Sequence, residues 1–162
     1  MSGLKIDLAS LPQGVSPWGF EAEASALDLD PVLWPDRIEG RFSAEKNGDR
    51  IRLAGELSGT AQLDCVRCLK HFPLAVAVPF ELFAERRGAD SRDEDELERD
   101  AYMRFHDGRR LDLTADLRDA LLLEVPMAPH CREDCRGLCP RCGADLNLGP
   151  CACGTAVVAG SP

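Results

Sequence analysis

Residues 131–153 read CREDCRGLCPRCGADLNLGPCAC, and six of the eight cysteines of the chain lie there. The other two, Cys65 and Cys68, form a CxxC pair far upstream. In the run Cys139-Pro-Arg-Cys142-Gly, the proline fixes φ within the turn and the glycine can take a positive φ after it, so both thiolates can face one ion. This is the spacing of a zinc knuckle, and a structural zinc site takes four ligands from cysteine and histidine.

Eight thiols at these spacings predict two zinc ions, each bound by four cysteines. The predicted ligands are Cys65, Cys68, Cys131, Cys135, Cys139, Cys142, Cys151 and Cys153. Four of them are close enough in sequence to close one site locally: Cys139, Cys142, Cys151 and Cys153. The remaining four would close a long loop, and would join the upstream CxxC to the segment after the predicted helix.

Alternatives to this ligand assignment stay open from the residues alone. The upstream CxxC could instead share a site with Cys139 and Cys142, and His130 could replace a thiolate. An even number of cysteines also permits a disulfide framework, but 162 residues is long for a disulfide-stapled small protein. A redox CxxC would need a βα context, which the upstream pair lacks.

Composition limits the classes of function. The formal net charge of −9 argues against a general nucleic-acid-coating protein, which would normally be basic. The first residues show no apolar signal region, and no stretch approaches the ~20 apolar residues of a membrane-spanning helix. We therefore expect a cytoplasmic protein without a membrane partner. No GxSxG, HExxH or phosphate-binding glycine loop occurs, so we expect neither an enzyme nor a small-molecule substrate.

Alternating apolar residues predict a mostly antiparallel β fold. Residues 4–8 and 18–26 alternate as two strands would. Asn47-Gly48 separates two further alternating segments, and it is the preferred pair for a type I′ hairpin turn, in which both residues have positive φ. The upstream CxxC lies at the tip of a second predicted hairpin. One helix is predicted from Thr114 to the proline at position 126, with Asp112 or Thr114 as its cap.

The predicted fold class is therefore α+β, with mostly antiparallel β hairpins, one main helix and a C-terminal zinc-knuckle segment. We predict a β-rich domain with the CxxC hairpin tip at 1–85 and an acidic loop at 86–100. A strand, the helix and the cysteine-rich zinc segment follow at 101–153, and a disordered tail at 154–162.

Basic residues gather around the cysteines on this acidic chain. They are Arg67, Lys70, Arg132, Arg136 and Arg141. If the two cysteine-rich segments share a metal, these side chains converge into a surface suited to RNA phosphates. Alternatively, they balance the thiolates and the neighbouring carboxylates.

Two motifs resemble those of the YceD family, the large ribosomal RNA subunit accumulation proteins. They are Cys65-Val-Arg-Cys68-Leu and Cys135-Arg-Gly-Leu-Cys139-Pro-Arg-Cys142-Gly-Ala-Asp-Leu-Asn. The order of elements resembles the family along nearly the whole chain. The resemblance implies a cytoplasmic bacterial protein, with relatives in plant organelles, that takes part in accumulation or processing of large-subunit (23S) rRNA and so in ribosome biogenesis.

The resemblance and the thiol pattern together lead to one expected function and two rivals. We expect a non-enzymatic, zinc-stabilised factor for 23S rRNA, with rRNA or a ribosomal protein as its partner. The first rival is a protein-interaction adaptor whose acidic loop docks on a basic ribosomal protein or nuclease. The second is a ribonuclease or another enzyme.

Overall fold

The computed structural model of the chain describes residues 4–86 and 103–153. Its elements in these ranges are β1 (Lys5–Asp7), β2 (Gly14–Ala22), a 3-10 helix (Ala24–Leu27), β3 (Ile38–Asn47), β4 (Arg50–Asp64), β5 (His71–Arg86), β6 (Met103–His106), β7 (Arg110–Asp112) and α1 (Thr114–Glu124). The predicted α+β class is confirmed. The predicted acidic loop, apart from Arg86, and the predicted tail lie outside the described residues.

Two sheets organise the strands. The larger has the order β2-β3-β4-β5-β6, and the smaller consists of β1 and β7. β2, β3 and β4 pair antiparallel, as hairpins predict, but β6 pairs parallel with β5. A parallel neighbour needs a crossover connection of a dozen or more residues, and residues 87–102 separate these two strands.

The chain divides into two compact units. The first unit comprises Met1–Ala61 and Leu74–Val125, and the second comprises Gln62–Pro73 and Pro126–Pro162. The tip of the β4–β5 hairpin thus belongs to the same unit as the cysteine-rich segment. All eight cysteines lie in this second unit.

The first hairpin forms as predicted, but its turn is shifted by one residue. Asn47 still pairs with Arg50, so the two-residue loop is Gly48 and Asp49. Only Gly48 has a positive φ, of 63°. The prediction of a type I′ turn at Asn47-Gly48 is therefore wrong. The glycine supplies the left-handed residue at the first loop position, and the asparagine ends the strand.

The second predicted strand also ends earlier than its alternation suggested. β2 stops at Ala22, and Ala24–Leu27 form the 3-10 helix instead. Ala24 and Leu27 are both buried although they are three positions apart. A strand would turn these two side chains to opposite faces, whereas a 3-10 turn brings both to the core.

An aromatic cluster crosses the large sheet above two glycines. The ring centroids of Trp18 and Phe42 are 5.6 Å apart, and those of Phe42 and Phe80 are 5.7 Å apart. A Cβ on Gly40 would come within 2.3 Å of the Phe20 ring, and one on Gly55 within 2.1 Å of the Arg41 carbonyl oxygen. The glycines let rings and backbone approach closely, as expected for glycine inside a strand.

The helix covers the core of the first unit. Leu113, Leu117 and Leu121 recur at helical spacing and are fully buried. Asp112 Oδ1 accepts a hydrogen bond of 3.0 Å from the Thr114 N–H and so satisfies a free donor at the helix start. In the described part of the chain, no helix has the length and apolar character needed to cross a membrane.

The packing at Gly55 yields the first testable prediction. The Cβ of Gly55→Ala would meet main-chain atoms of β3, so we expect the free energy of unfolding of the first unit to fall by about 1–3 kcal/mol. Denaturant titration followed by tryptophan fluorescence measures this change. Ser43→Ala, on the exposed face of β3, is the matched control and should stay within about 0.5 kcal/mol of wild type. Equal stability of both variants would contradict the packing.

Candidate metal centre

The upstream CxxC forms a tight turn between β4 and β5, which we call the first knuckle (residues 65–70). Leu69 donates its N–H to the Cys65 carbonyl at 2.8 Å, and Cys65 donates its N–H to the Lys70 carbonyl at 2.9 Å. Leu69 closes the turn with a left-handed backbone, at φ 59°. These two hydrogen bonds hold both cysteines on the same side of the turn.

The second knuckle (residues 139–144) repeats this backbone. Gly143 donates its N–H to the Cys139 carbonyl at 2.8 Å, and Cys139 donates its N–H to the Ala144 carbonyl at 2.8 Å. Gly143 takes the left-handed position with φ 74°. The sequence analysis expected a positive φ at this glycine, and the structure has it.

The first cluster of thiols joins the first knuckle to the segment after the helix. Its members are Cys65, Cys68, Cys131 and Cys135, whose Sγ atoms all lie within 4.8 Å of one another. The Sγ–Sγ distance is 3.8 Å between Cys65 and Cys135 and 3.6 Å between Cys68 and Cys131. The cluster is also the buried core of the second unit, with Phe72 and Leu138 packed against it.

The second cluster lies within the C-terminal segment. It consists of Cys139, Cys142, Cys151 and Cys153, again with all Sγ atoms within 4.8 Å of one another. The Sγ atoms of Cys151 and Cys139 are 3.5 Å apart. Cys142 is exposed, so this cluster is more open to solvent than the first. The grouping into a long-range and a local set is the one the sequence analysis favoured, and His130 belongs to neither group.

The sulfur geometry fits a tetrahedral ion and not disulfides. All eight cysteines are free, and the Sγ–Sγ distances of 3.5–3.8 Å far exceed a disulfide bond of about 2.05 Å. Four sulfurs at about 2.3 Å from a central ion would be about 3.8 Å apart. The two clusters can therefore each bind a metal ion.

Within the first cluster the thiols do not ionise alike. Burial raises the pKa of Cys65, but hydrogen bonds from the backbone N–H groups of Cys131, Cys68 and Arg67 outweigh it and lower the pKa to about 5. Burial and the neighbouring thiols raise the pKa of Cys131 to about 12. Cys65 therefore ionises easily near neutral pH, whereas the negative charge already present opposes ionisation of Cys131.

The second cluster shows the same contrast. Backbone hydrogen bonds from Cys142 and Arg141 lower the pKa of Cys139 to about 6. The neighbouring Cys142 thiol and burial raise the pKa of Cys153 to about 12. A cation at the centre of each cluster would offset the mutual repulsion and allow all four thiols to act as thiolates.

Asn147 holds the first cluster in place from the loop after the second knuckle. Its Nδ2 donates to Cys135 Sγ at 3.5 Å and to Asp145 Oδ1 at 2.7 Å. Its Oδ1 accepts from the Arg136 N–H and from Arg132 Nη2, both at 2.8 Å. Every polar atom of this amide is used, so it fixes the orientation of the Cys135 sulfur.

Asp145 extends this network to the first knuckle. Its carboxylate forms an ion pair of 2.5 Å with Lys70 and has only 12% of its side chain exposed. The hydrogen bond from Lys70, followed by the N–H of Asn147, lowers the pKa of Asp145 to about 2. The sequence analysis missed Asp145 and Asn147. The only available signal was their place in the Cys142-Gly-Ala-Asp-Leu-Asn motif.

Three of the five predicted RNA-contacting cations are engaged within the second unit. Arg67 Nη1 donates to the Cys135 carbonyl at 3.0 Å, and Lys70 pairs with Asp145. Arg132 binds Asp134 at 3.3 Å as well as the Asn147 amide.

The other two, Arg136 and Arg141, have exposed side chains. Neither has an ion-pair partner among residues 4–86 and 103–153. The structure thus brings the five cations into one unit, but leaves only these two free to bind a ligand.

Comparison with known proteins gives consistent relatives. The family profile described as "Large ribosomal RNA subunit accumulation protein YceD" matches residues 53–159. An uncharacterized protein of Mycobacterium tuberculosis is 36% identical over 136 residues, which cover 83% of this chain and 61% of the relative. One from Mycobacterium leprae is 34% identical over 125 residues, covering 76% of this chain and 56% of the relative.

A plant relative also matches. It is the chloroplastic large ribosomal RNA subunit accumulation protein YCED homolog 1 of Arabidopsis thaliana, 32% identical over 175 residues, which cover 93% of this chain and 54% of the relative. The chain thus spans little more than half the length of these relatives. No solved structure matches the chain.

The two clusters should lose their ions independently. We expect Cys65→Ser and Cys151→Ser each to lower the metal content by about one ion per chain, because each site needs four ligands. Elemental analysis of the purified variants measures this content. Hydrogen exchange should rise around residues 65–70 and 131–135 in the first variant, and mainly after residue 139 in the second. If either variant lost both ions or none, the two-cluster arrangement would be wrong.

Asn147→Ala tests the supporting amide. We expect the first cluster to bind its ion about 10–100-fold more weakly, while the second cluster keeps its affinity. Competition with a chelator of known affinity measures the release of each ion separately. Leu148→Ala changes the adjacent side chain, which is 85% exposed, and should leave both affinities unchanged. If Asn147→Ala left the affinity of the first cluster for its ion unchanged, the Asn147 amide would not support that site.

Proposed function

The chain belongs to the YceD family of large ribosomal RNA subunit accumulation proteins, and from that premise we propose that it is a zinc-stabilised, non-enzymatic factor for the accumulation or processing of 23S rRNA. The main observation behind this proposal is the pair of four-thiol clusters in the second unit. The proposal gives these clusters a structural role, and gives the chain a place in ribosome biogenesis through contact with rRNA or a ribosomal protein.

Zinc is the ion that the donor set favours. Four thiolates in tetrahedral geometry are typical of zinc or of iron–sulfur centres. An iron–sulfur cluster contains several irons bridged by sulfide, and the cysteines bind different irons, so some of their sulfurs must lie farther apart than the 4.8 Å limit found here. We therefore propose one zinc ion per cluster. When bound, it would neutralise the thiolates and cross-link the segments that carry them.

A structural role follows from the small core of the second unit. The buried cluster in its described part consists of Cys65, Cys68 and Cys135, and the side chains of Phe72, Cys131 and Leu138 pack against it. So little apolar area contributes little hydrophobic stabilisation, and small units of this kind commonly depend on metal. Binding of the ions would then supply much of the free energy that folds this unit.

The absence of catalysis is part of the proposal. A catalytic zinc site keeps one coordination position open for water or substrate, whereas four cysteines close the coordination sphere. Free thiols also need a reducing compartment, which supports a cytoplasmic location.

A second candidate function is the adaptor, and one observation favours it. Among the arginines and lysines of the cysteine-rich segments, only Arg136 and Arg141 have side chains without an intramolecular partner in the described chain. Two free cations neutralise few phosphates, so RNA affinity from this unit alone would be weak. The adaptor would recruit a basic ribosomal protein or a nuclease, and would affect rRNA through that partner.

The zinc proposal is tested by elemental analysis of protein purified under reducing conditions. We expect about two zinc ions per chain and eight thiols that react only after the metal is removed. Iron in place of zinc, or disulfides in fresh lysate, would contradict the assignment.

The biological proposal is tested in cells that lack the protein. We expect the ratio of mature large-subunit to small-subunit rRNA to fall, because only the large subunit depends on this factor. Wild-type protein should restore the ratio, and Cys65→Ser should not. Normal ratios in the deletion strain would refute the proposed function.

Salt dependence distinguishes the two candidates. Direct RNA contact predicts that the affinity for rRNA fragments falls linearly on a logarithmic salt scale, with a small slope set by the two free arginines. Arg136→Ala with Arg141→Ala should then remove that binding. The adaptor predicts no measurable binding to the fragments at physiological salt.

A further inference from the structure

The two knuckles share a backbone but differ in side chains at corresponding positions. Leu69 and Gly143 each follow the second cysteine, each donate to the carbonyl of the first cysteine, and each have a positive φ. Val66 corresponds in the same way to Pro140. The second knuckle therefore carries the residue types that such a turn favours, whereas the first carries two bulky apolar residues.

Among the described residues, side-chain burial does little to offset the unfavourable backbone of Leu69. A left-handed conformation is costly for any residue with a Cβ, because that atom approaches the following carbonyl oxygen. The Leu69 side chain remains 66% exposed and the Val66 side chain 50% exposed, so burial compensates little. Residues held in strained backbone conformations cluster at ligand-binding and switch regions of proteins, and here the strained residue is also apolar and exposed.

We propose that Val66 and Leu69 on the first knuckle anchor a positively charged segment of a partner protein. This inference rests on the proposed function, because it takes both clusters to hold a divalent ion. It identifies the partner's chemistry, a basic segment that also offers an apolar side chain, and it places the contact on the hairpin tip.

The charge of the second unit makes a basic partner complementary. Its described residues carry five cationic side chains and four carboxylates. Two sites of four thiolates, each with a divalent ion, add four negative charges and leave the unit with a net charge of about −3. The whole chain is acidic as well, with a formal net charge of −9 before the thiolates are counted. A net negative charge of this kind attracts a basic protein and repels nucleic acid.

A cleft beside the first knuckle offers room for the partner's side chain. It has a volume of about 250 Å³ and is lined by Cys68, Lys70, Cys131, Arg132, Asn147 and Leu148. Leu69 lies in the chain between two of these residues, and Leu148 is 85% exposed. The cations Lys70 and Arg132 at this cleft are already bound to Asp145 and Asp134. They are therefore poorly placed to recognise phosphate.

The experiment uses the full chain with its metal as purified. Basic proteins of a bacterial large ribosomal subunit, each purified and immobilised, serve as probes, and interferometry measures binding. A 23S rRNA transcript is tested in parallel. The variants are Leu69→Gly, which gives the first knuckle the residue found in the second, and Leu69→Met, which keeps a bulky apolar side chain. Leu123→Ala, at an exposed leucine of α1, is the control.

We expect wild type, Leu69→Met and Leu123→Ala to bind at least one basic protein with similar affinity. Leu69→Gly should bind it at least about tenfold more weakly, as expected for removal of an anchor residue. Its zinc content should stay at the wild-type value and its thermal midpoint should not fall, because glycine suits the left-handed turn.

Four results would overturn the inference. These are unchanged binding by Leu69→Gly, loss of zinc or stability in that variant, binding to the transcript but to no protein, and binding to neither. The rRNA ratio in deletion cells and the zinc content of wild type do not depend on this surface. Failure of the inference is thereby distinguishable from failure of the proposed function.

Discussion

Mutual repulsion among thiolates is the constraint on which the second unit depends. Four sulfurs lie within 4.8 Å of one another in each cluster, and the pKa of one member is lowered while that of another is raised to about 12. The turns that donate backbone N–H groups stabilise the first negative charge, but they cannot stabilise four. A cation at the centre of each cluster would resolve this conflict. In the proposed function, its binding energy therefore adds to the small core found in the described part of this unit.

The two clusters are distinct in ligands but share their supporting structure. Asn147 lies in the loop between the second knuckle and Cys151, yet its amide donates to Cys135 of the first cluster. The Lys70–Asp145 ion pair adds a second link from that loop to the first knuckle. The loop that orients a ligand of the first cluster thus lies between the two ligand pairs of the second. The Asp-Leu-Asn end of the motif therefore links the second knuckle to the ligands of the first cluster.

Charge also bears on how such a protein would act on ribosomal RNA. The second unit has five arginines and lysines, but the side chains of three of them bind a carbonyl, a carboxylate or an amide of the same unit. The number of basic residues in a sequence therefore does not by itself predict a phosphate-binding surface, since a cation that binds a partner within the protein is less available to phosphate. The net negative charge and the exposed apolar residues of the first knuckle favour a protein partner instead, as we propose above.

The sequence by itself determined which residues can bind metal, that hairpins and one helix make up the fold, and that the upstream CxxC lies at a hairpin tip. These features follow from local spacing, alternation and turn chemistry, which act between residues close in the chain. Only the tertiary structure decided the rest. The pairing of β1 with β7, the parallel position of β6, and the hydrogen bond from Asn147 to Cys135 join residues that no short-range pattern connects. The one-residue shift of the Gly48 turn had the same origin, because strand register follows from packing of a whole face and not from the preferred turn pair alone.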